Sequence, residues 1–435
     1  MPITKSFKLF ESASGLTADQ IAFLDKGVTG SWNHREDSGK VDVKGDFIAP
    51  KGSMDFRGIR FGVVDGNFTC KGMNLLTGEG FPDQVTGNLD CSQNSLRSFE
   101  GITPLIGGSL NCSYNTIRDL TDFPKVAKSI DLSNNRIRTL SNLPTVVEGD
   151  FDCSHNPLIS LSGCPKIVNG QFMCVHTTIK TLEGGPEEVK ESYLCSKNPQ
   201  LKTIMGAARK IMGSFVCKES PIESLEGGPE WVGENYYCQS TKIQTMQGCA
   251  AHIGKSLNCS SCELYTLEGC PKKIHGSFHC HDNKLENLVG CPEEITAGDE
   301  APKCRVSFKN NNLYSLLGAP EKSDVTSVDL SGNPVSQEAL TSIYLSAIKG
   351  RSYLMAFVDN MNDLEETDWR ELGNVKMKRH TIEDALKNIS KETFGHKMDF
   401  KAADFLQKNY PDIYKIVAGD YKTLDTAASL GDLGF

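Results

Sequence analysis

A ruler of cysteines constrains this chain more than any other feature. Cys70, Cys91, Cys112, Cys153, Cys174, Cys195, Cys217, Cys238, Cys259 and Cys280 follow at steps of 21 residues, once 22, and Leu132 divides the single step of 41 into 20 and 21. One pattern surrounds each rung: Gly-x-(Phe/Leu)-x-Cys-Ser-x-Asn-x-(Leu/Ile)-x-(Ser/Thr)-Leu-x-Gly-(Cys/Gly)-Pro-x-x-(Val/Ile). The clearest copy is GDFDCSHNPLISLSGCPKIV, 149–168. A unit this short cannot bury its own apolar face. Copies must therefore stack and share one core, which defines a solenoid.

The pattern assigns a task to most positions. In Phe-x-Cys two apolar residues stand two apart and share one face of a short strand. The Asn three residues after Cys suits a turn in which its side chain satisfies backbone groups. Leu-x-x-Leu returns to the interior, and Gly-Pro prevents a long helix.

Leu-x-x-Leu-x-Leu-x-x-Asn-x-Leu is the leucine-rich-repeat signature, and the short version with Pro in the return arm resembles bacterial leucine-rich repeats. The Cys-Ser-x-Asn variant, with its GDFDCS and LEGGPE strings, resembles leucine-rich-repeat proteins of large tailed bacteriophages. The opening Ser6–Glu11 and the closing Leu430–Phe435 are similar to the ends of proteins in that group. The resemblance covers residues 1–334 best. It implies an α/β solenoid: a leucine-rich-repeat horseshoe with parallel strands on the concave face, an N-terminal cap and a helical C-terminal domain. It implies no reaction.

The boundaries follow from where the pattern fades. Residues 1–62 read as the cap, with a short helix over 17–26 started by Thr17, and VDVKGDF (41–47) and VVDGNF (63–68), the latter opening the solenoid, read as degenerate first repeats. The solenoid spans 63–335. An insertion around TAGDEAPK separates Cys280 from the next strand, where Phe308 takes the Cys position, and Leu330 takes it in the last rung. Over 336–435 helical periodicity replaces Gly-Pro punctuation, and the tail after about 422 reads as disordered or as a short signal.

Composition narrows the function class. The net charge of −9 argues against general affinity for nucleic acid or anionic lipid. No apolar run is long enough for a membrane helix, and the N-terminus lacks the pattern of a secretory signal. A cytoplasmic protein with reduced thiols is therefore expected, in the host cytoplasm or in the virion. Cys164, Cys249, Cys270 and Cys291 form a second ladder and read as small buried hydrophobes.

Four groups of residues suggest chemistry. Cys259, Cys262, Cys280 and His281 are zinc-ligand types, but Cys259 and Cys280 point into the core, and structural packing is preferred over a metal. Disulfides between stacked rungs are disfavoured by parallel side chains. Ile253-Gly254-Lys255-Ser256 ends like a phosphate-binding loop, but Cys249 stands where the motif needs Gly. No Cys follows Cys304, so the catalytic cysteine of repeat-bearing ubiquitin ligases is missing, and His380 and His396 stand in no catalytic spacing. No cofactor is implied, and the chain is read as not an enzyme.

The informative residues lie between Phe and Cys, on the open face. In order they are Thr69, Asp90, Asn111, Asp131, Asp152, Met173, Leu194, Val216, Tyr237, Asn258 and His279. The run passes from acidic to apolar and back to polar, the mark of a protein interface. Asp90, Asp131, Asp152, Met173, Leu194, Val216, Tyr237 and His279 are thus the candidate residues for a host or phage protein partner. Cover by the C-terminal domain, or no role, stays open for this stripe. The alternatives for the whole chain are a structural virion component and an enzyme or effector whose activity lies in 336–435.

Overall fold

A computed structural model describes residues 15–296, 304–313, 318–320, 322–323 and 327–334. The opening and closing hexapeptides, the insertion, His380, His396 and the 336–435 segment lie outside the described residues. The chain forms two compact units, 1–199 and 200–435.

In each coil the Phe-x pair forms a two-residue strand that pairs in parallel with the same pair one coil away. In the first unit Ile130 aligns with Phe151 and Asp131 with Asp152, then Phe151 with Phe172 and Asp152 with Met173. This series runs from Phe47–Ile48 to Tyr193–Leu194. In the second unit it runs from Phe215–Val216 to Ser327–Asp329. Because the register never slips, every Phe lies on a Phe-type residue and every outward residue on its equivalent.

The Pro-x-x-(Val/Ile) segment forms a second short parallel strand, which the sequence reading had treated only as a return arm. In the first unit this second series starts from the antiparallel hairpin β1 (Ser31–Arg35) and β2 (Lys40–Lys44) and reaches Lys125–Val126. It resumes at Val146–Val147, so the ladder is interrupted at the 20-residue coil that carries Leu132. In the second unit it runs from Lys210–Ile211 to Lys322–Ser323. Among the described residues the one helix is α1 (Ala18–Gly27), so the coils themselves are all β.

The core lies between the two strand series. All ten ladder cysteines and Leu132 are fully buried, as are Phe47, Phe68, Phe151 and Phe172 in the first unit and Phe215 and Phe278 in the second. Each buried Phe or Leu contributes roughly 1.5–3 kcal/mol on leaving water. Thr17 starts α1 through a capping box: its hydroxyl accepts from the Gln20 N–H at 3.3 Å, and Gln20 Oε1 accepts from the Thr17 N–H at 2.9 Å. Phe23 of α1 packs on Phe47 with ring centres 5.8 Å apart.

Polar side chains stitch the coils on both sides of the strand. Asn115 Nδ2 donates to the carbonyls of Cys91 and Cys112, each at 3.0 Å, and its Oδ1 accepts from the Leu96 N–H at 3.0 Å. Asn94, Asn135, Asn156 and Asn198 repeat this donation to a carbonyl of the preceding coil. The second ladder stands just before the strand, where Asp46, Asn67 and Asn88 each accept from the backbone N–H one coil on, at 2.7–2.8 Å. The sequence pattern had left that position as x. Two residues after each Cys the backbone is left-handed, as at Gln93, Tyr114, His155 and Ser240, with φ of 54–59°.

Candidate protein-interaction face

Every outward residue of the Phe-x-Cys strands is half-buried, with the apolar core on one side of the strand and solvent on the other. In the first unit Thr69 aligns with Asp90, Asp90 with Asn111, Asn111 with Asp131, Asp131 with Asp152, Asp152 with Met173, and Met173 with Leu194. In the second unit Val216 aligns with Tyr237, Tyr237 with Asn258, and Asn258 with His279. Each unit therefore presents one column of side chains about 4.8 Å apart. The first unit brings Asp90, Asp131 and Asp152 into line with Met173 and Leu194. The second brings Val216 and Tyr237 into line with His279.

The acidic members also have a local structural job. Asp90, Asp131 and Asp152 accept from the N–H of Ser92, Ser133 and Ser154 at 2.8–2.9 Å. Asn111 and Asn258 do the same for Ser113 and Ser260, each at 3.0 Å. The Ser that follows Cys in the repeat is thus the donor that fixes the outward Asp or Asn, a pairing legible in the motif once its two-residue spacing is noticed. Burial pushes the Asp152 carboxyl up from the ordinary carboxylate range; the Ser154 bonds oppose this and the Asp131 charge adds to it. Burial lowers the His279 imidazole, with His281 and Arg305 adding to the effect.

The residues weighed for metal binding have other occupations. Cys259 and Cys280 are rungs of the buried ladder. Cys262 stands in the Asn position and partly does its work: its Sγ lies 3.4 Å from the Cys238 carbonyl and 3.2 Å from the Thr241 hydroxyl. His281 Nδ1 is 2.6 Å from Asp282 Oδ2. Among the described residues no three His, Cys, Asp or Glu side chains gather as metal ligands. Burial pushes the thiols of Cys153, Cys174, Cys195, Cys259 and Cys270 well above their ordinary value, which leaves little thiolate for nucleophilic or redox chemistry. Of the other cysteine series, Cys164 and Cys291 are buried, whereas Cys249 and Cys270 are only half-buried. Lys255 Nζ is 2.6 Å from Glu234 Oε1, and Ser256 Oγ accepts from the Ser277 N–H at 3.0 Å. Both residues serve coil-to-coil bonding rather than a phosphate cradle. No described helix is long and apolar enough to cross a membrane.

Stacked parallel-strand coils of about 21 residues, a buried Leu/Cys ladder and an Asn ladder define a solenoid that resembles leucine-rich-repeat proteins. No protein-family model matches the sequence, and no curated protein does. Among solved structures the chain is similar to YopM, a leucine-rich effector protein from Yersinia pestis. The two are 16% identical, with a TM-score of 0.33 over 63% of this chain and 80% of that one. It is also similar to YopM from Yersinia enterocolitica WA-314, at 13% identity and a TM-score of 0.22 over 66% of this chain and 87% of that one.

Proposed function

We propose that the protein is a non-catalytic interaction scaffold that binds another protein through the outward column of its strands. The observation that carries this is the in-register line Asp90, Asn111, Asp131, Asp152, Met173, Leu194 on the first unit: an acidic stretch ending in two adjacent apolar side chains. Apolar area supplies the desolvated centre of a contact, and the carboxylates steer a basic partner toward it. Val216 and Tyr237, with His279 two rungs beyond, give the second unit a column of the same kind. The resemblance noted in the sequence favours a phage protein acting in the host cytoplasm with its thiols reduced, on a phage or host partner.

The test is capture of a defined partner by the full chain, wild type against Leu194→Asp and Val216→Asp. Both side chains are half-exposed, so thermal unfolding should stay near wild type. Each variant should weaken capture by about tenfold or more, the scale of a lost interface centre. Undiminished capture by both variants refutes the reading.

A further inference from the structure

The turn that follows each Asn carries a charge pattern that the strand column does not explain. Six residues after Cys91, Cys112 and Leu132 stand Arg97, Arg118 and Arg138, on three consecutive coils of the first unit. All three are exposed, as is Arg136, while Leu96, Ile117 and Ile137 between them are buried. The backbones are direct neighbours: the Arg118 N–H donates to the Arg97 carbonyl at 3.3 Å, and the Arg136 N–H to the Ile117 carbonyl at 2.9 Å. The guanidinium groups therefore rise from one line with a coil spacing of about 4.8 Å.

Like charges on neighbouring coils repel. At several other positions neighbouring coils carry opposite signs, and Lys166 pairs with Glu187 in the first unit. In the second unit Lys202 pairs with Glu223 at 3.1 Å, Lys272 with Glu293 at 3.1 Å and Lys284 with Glu263 at 3.4 Å. Lys202 and Glu223 are the equivalents of Arg97 and Arg118, since the Glu223 N–H donates to the Lys202 carbonyl at 2.8 Å. Among the described residues none of the four arginines is within ion-pair distance of a carboxylate. Asp119, next to Arg118, accepts instead from the Thr121 N–H at 3.0 Å. An acidic chain thus leaves this arginine column without ion-pair partners among the described residues.

We propose that this column docks an acidic α-helical segment of a partner protein. Carboxylates at i and i+4 of a helix lie about 5–6 Å apart on one face, which matches the coil spacing one for one. Arg binds carboxylate in bidentate fashion, so three such pairs fix the helix along the column, and Arg136 widens it at the third coil. The column holds no aromatic side chain for base stacking, which sets it apart from a single-stranded nucleic-acid groove.

The probe is a synthetic alanine-based helix with Glu at i, i+4 and i+8, titrated against the full chain at low salt. A peptide of the same composition with its Glu residues scattered around the helix is the control. Binding should weaken about tenfold in the R97Q/R118Q/R138Q variant and decline as salt is added. The scattered peptide should bind several-fold more weakly than the aligned one. Loss of like-charge repulsion should leave the variant melting no lower than wild type, and the single variant R118Q should weaken binding in the same direction. Equal binding by wild type and triple variant, equal binding of the two peptides, tighter binding of a single-stranded oligonucleotide, or no binding of the aligned helix would each overturn the proposal.

Discussion

A stretch of the first unit and a stretch of the second build the same coil with different means of satisfying it, although Met73 and Thr177 also replace the turn Asn in the first. In the first, Asn94, Asn115, Asn135 and Asn156 occupy four successive turns, each donating through Nδ2 to the preceding coil. In the second, Ser220, Thr241 and Cys262 take the same position before Asn283, Asn311 and Asn333 restore it. The Thr241 hydroxyl donates to no carbonyl of the preceding coil: it bonds the Cys238 carbonyl of its own coil at 2.9 Å and meets Cys262 Sγ of the next at 3.2 Å, and Cys262 offers a weak S–H to that same carbonyl. Yet these coils are as well buried as the others, with Cys238, Cys259, Ile243 and Leu264 at zero exposure. Apolar stacking therefore tolerates loss of the polar ladder, while the ladder marks where hydrogen bonding and burial reinforce each other.

The largest expected effect comes from breaking the intact ladder. Asn135→Ala removes donation to the carbonyls of Cys112 and Leu132 and the acceptor for the Ile117 N–H. Each buried group left unpaired costs about 1–3 kcal/mol. Chemical denaturation of the variant should show a loss of several kcal/mol, larger than that of Thr241→Ala, which removes one bond to a carbonyl and a weak contact to sulfur. Equal losses would mean that the Asn ladder is not what distinguishes the two stretches.

The sharpening experiment runs the other way. Cys262→Asn should restore bonds to the Cys238 carbonyl and should raise stability by up to about 1 kcal/mol, the usual net value of an added hydrogen bond. Asn283 already reaches the Cys259 carbonyl at 3.0 Å from the next coil, so the neighbouring geometry is built for amides. No gain would show that the Thr241–Cys262 contact at 3.2 Å is itself well adapted.

What the sequence made legible follows from how tightly each position is tied to the repeat. Phe-x-Cys and the turn Asn recur at fixed spacing because each must meet its copy one coil away, so strand, rung and outward face could be read directly. The second strand was missed because Val-Val or Lys-Ile after Pro is too short to show a period of two. The ladder of Asp46, Asn67 and Asn88 was missed because Asp, Asn and Ser interchange there as acceptors, and a consensus hides a chemical class behind x. The alternation in Phe-x-Cys puts the outward residues on the half-buried side of the strand, but the aspartates among them carry more than charge. Their bond to the following Ser, at Ser92, Ser133 and Ser154, is a second role.

That second role allows the smallest effect to be predicted with a definite sign. Asp131 and Asp152 align across the register, and burial raises the Asp152 carboxyl above its unfolded value of about 3.9. The folded chain then holds the Asp152 proton more firmly than the unfolded chain. Below about pH 3.9 both states are protonated and there is no penalty. As pH rises from there through the folded value, the unfolded state ionises first and stability is lost, and the loss stays constant above. Asp152→Asn keeps an acceptor oxygen for the Ser154 N–H, as Asn111 does for Ser113 at 3.0 Å, and removes the charge. The variant should therefore melt about 1–2 °C above wild type at neutral pH, a fraction of a kcal/mol in a domain of this size, with the gain vanishing near pH 3.5. A gain that persists in acid would assign the cost of Asp152 to packing rather than charge. It would also leave the acidic stretch of the first unit free to carry its charge for a basic partner at no electrostatic expense to the fold.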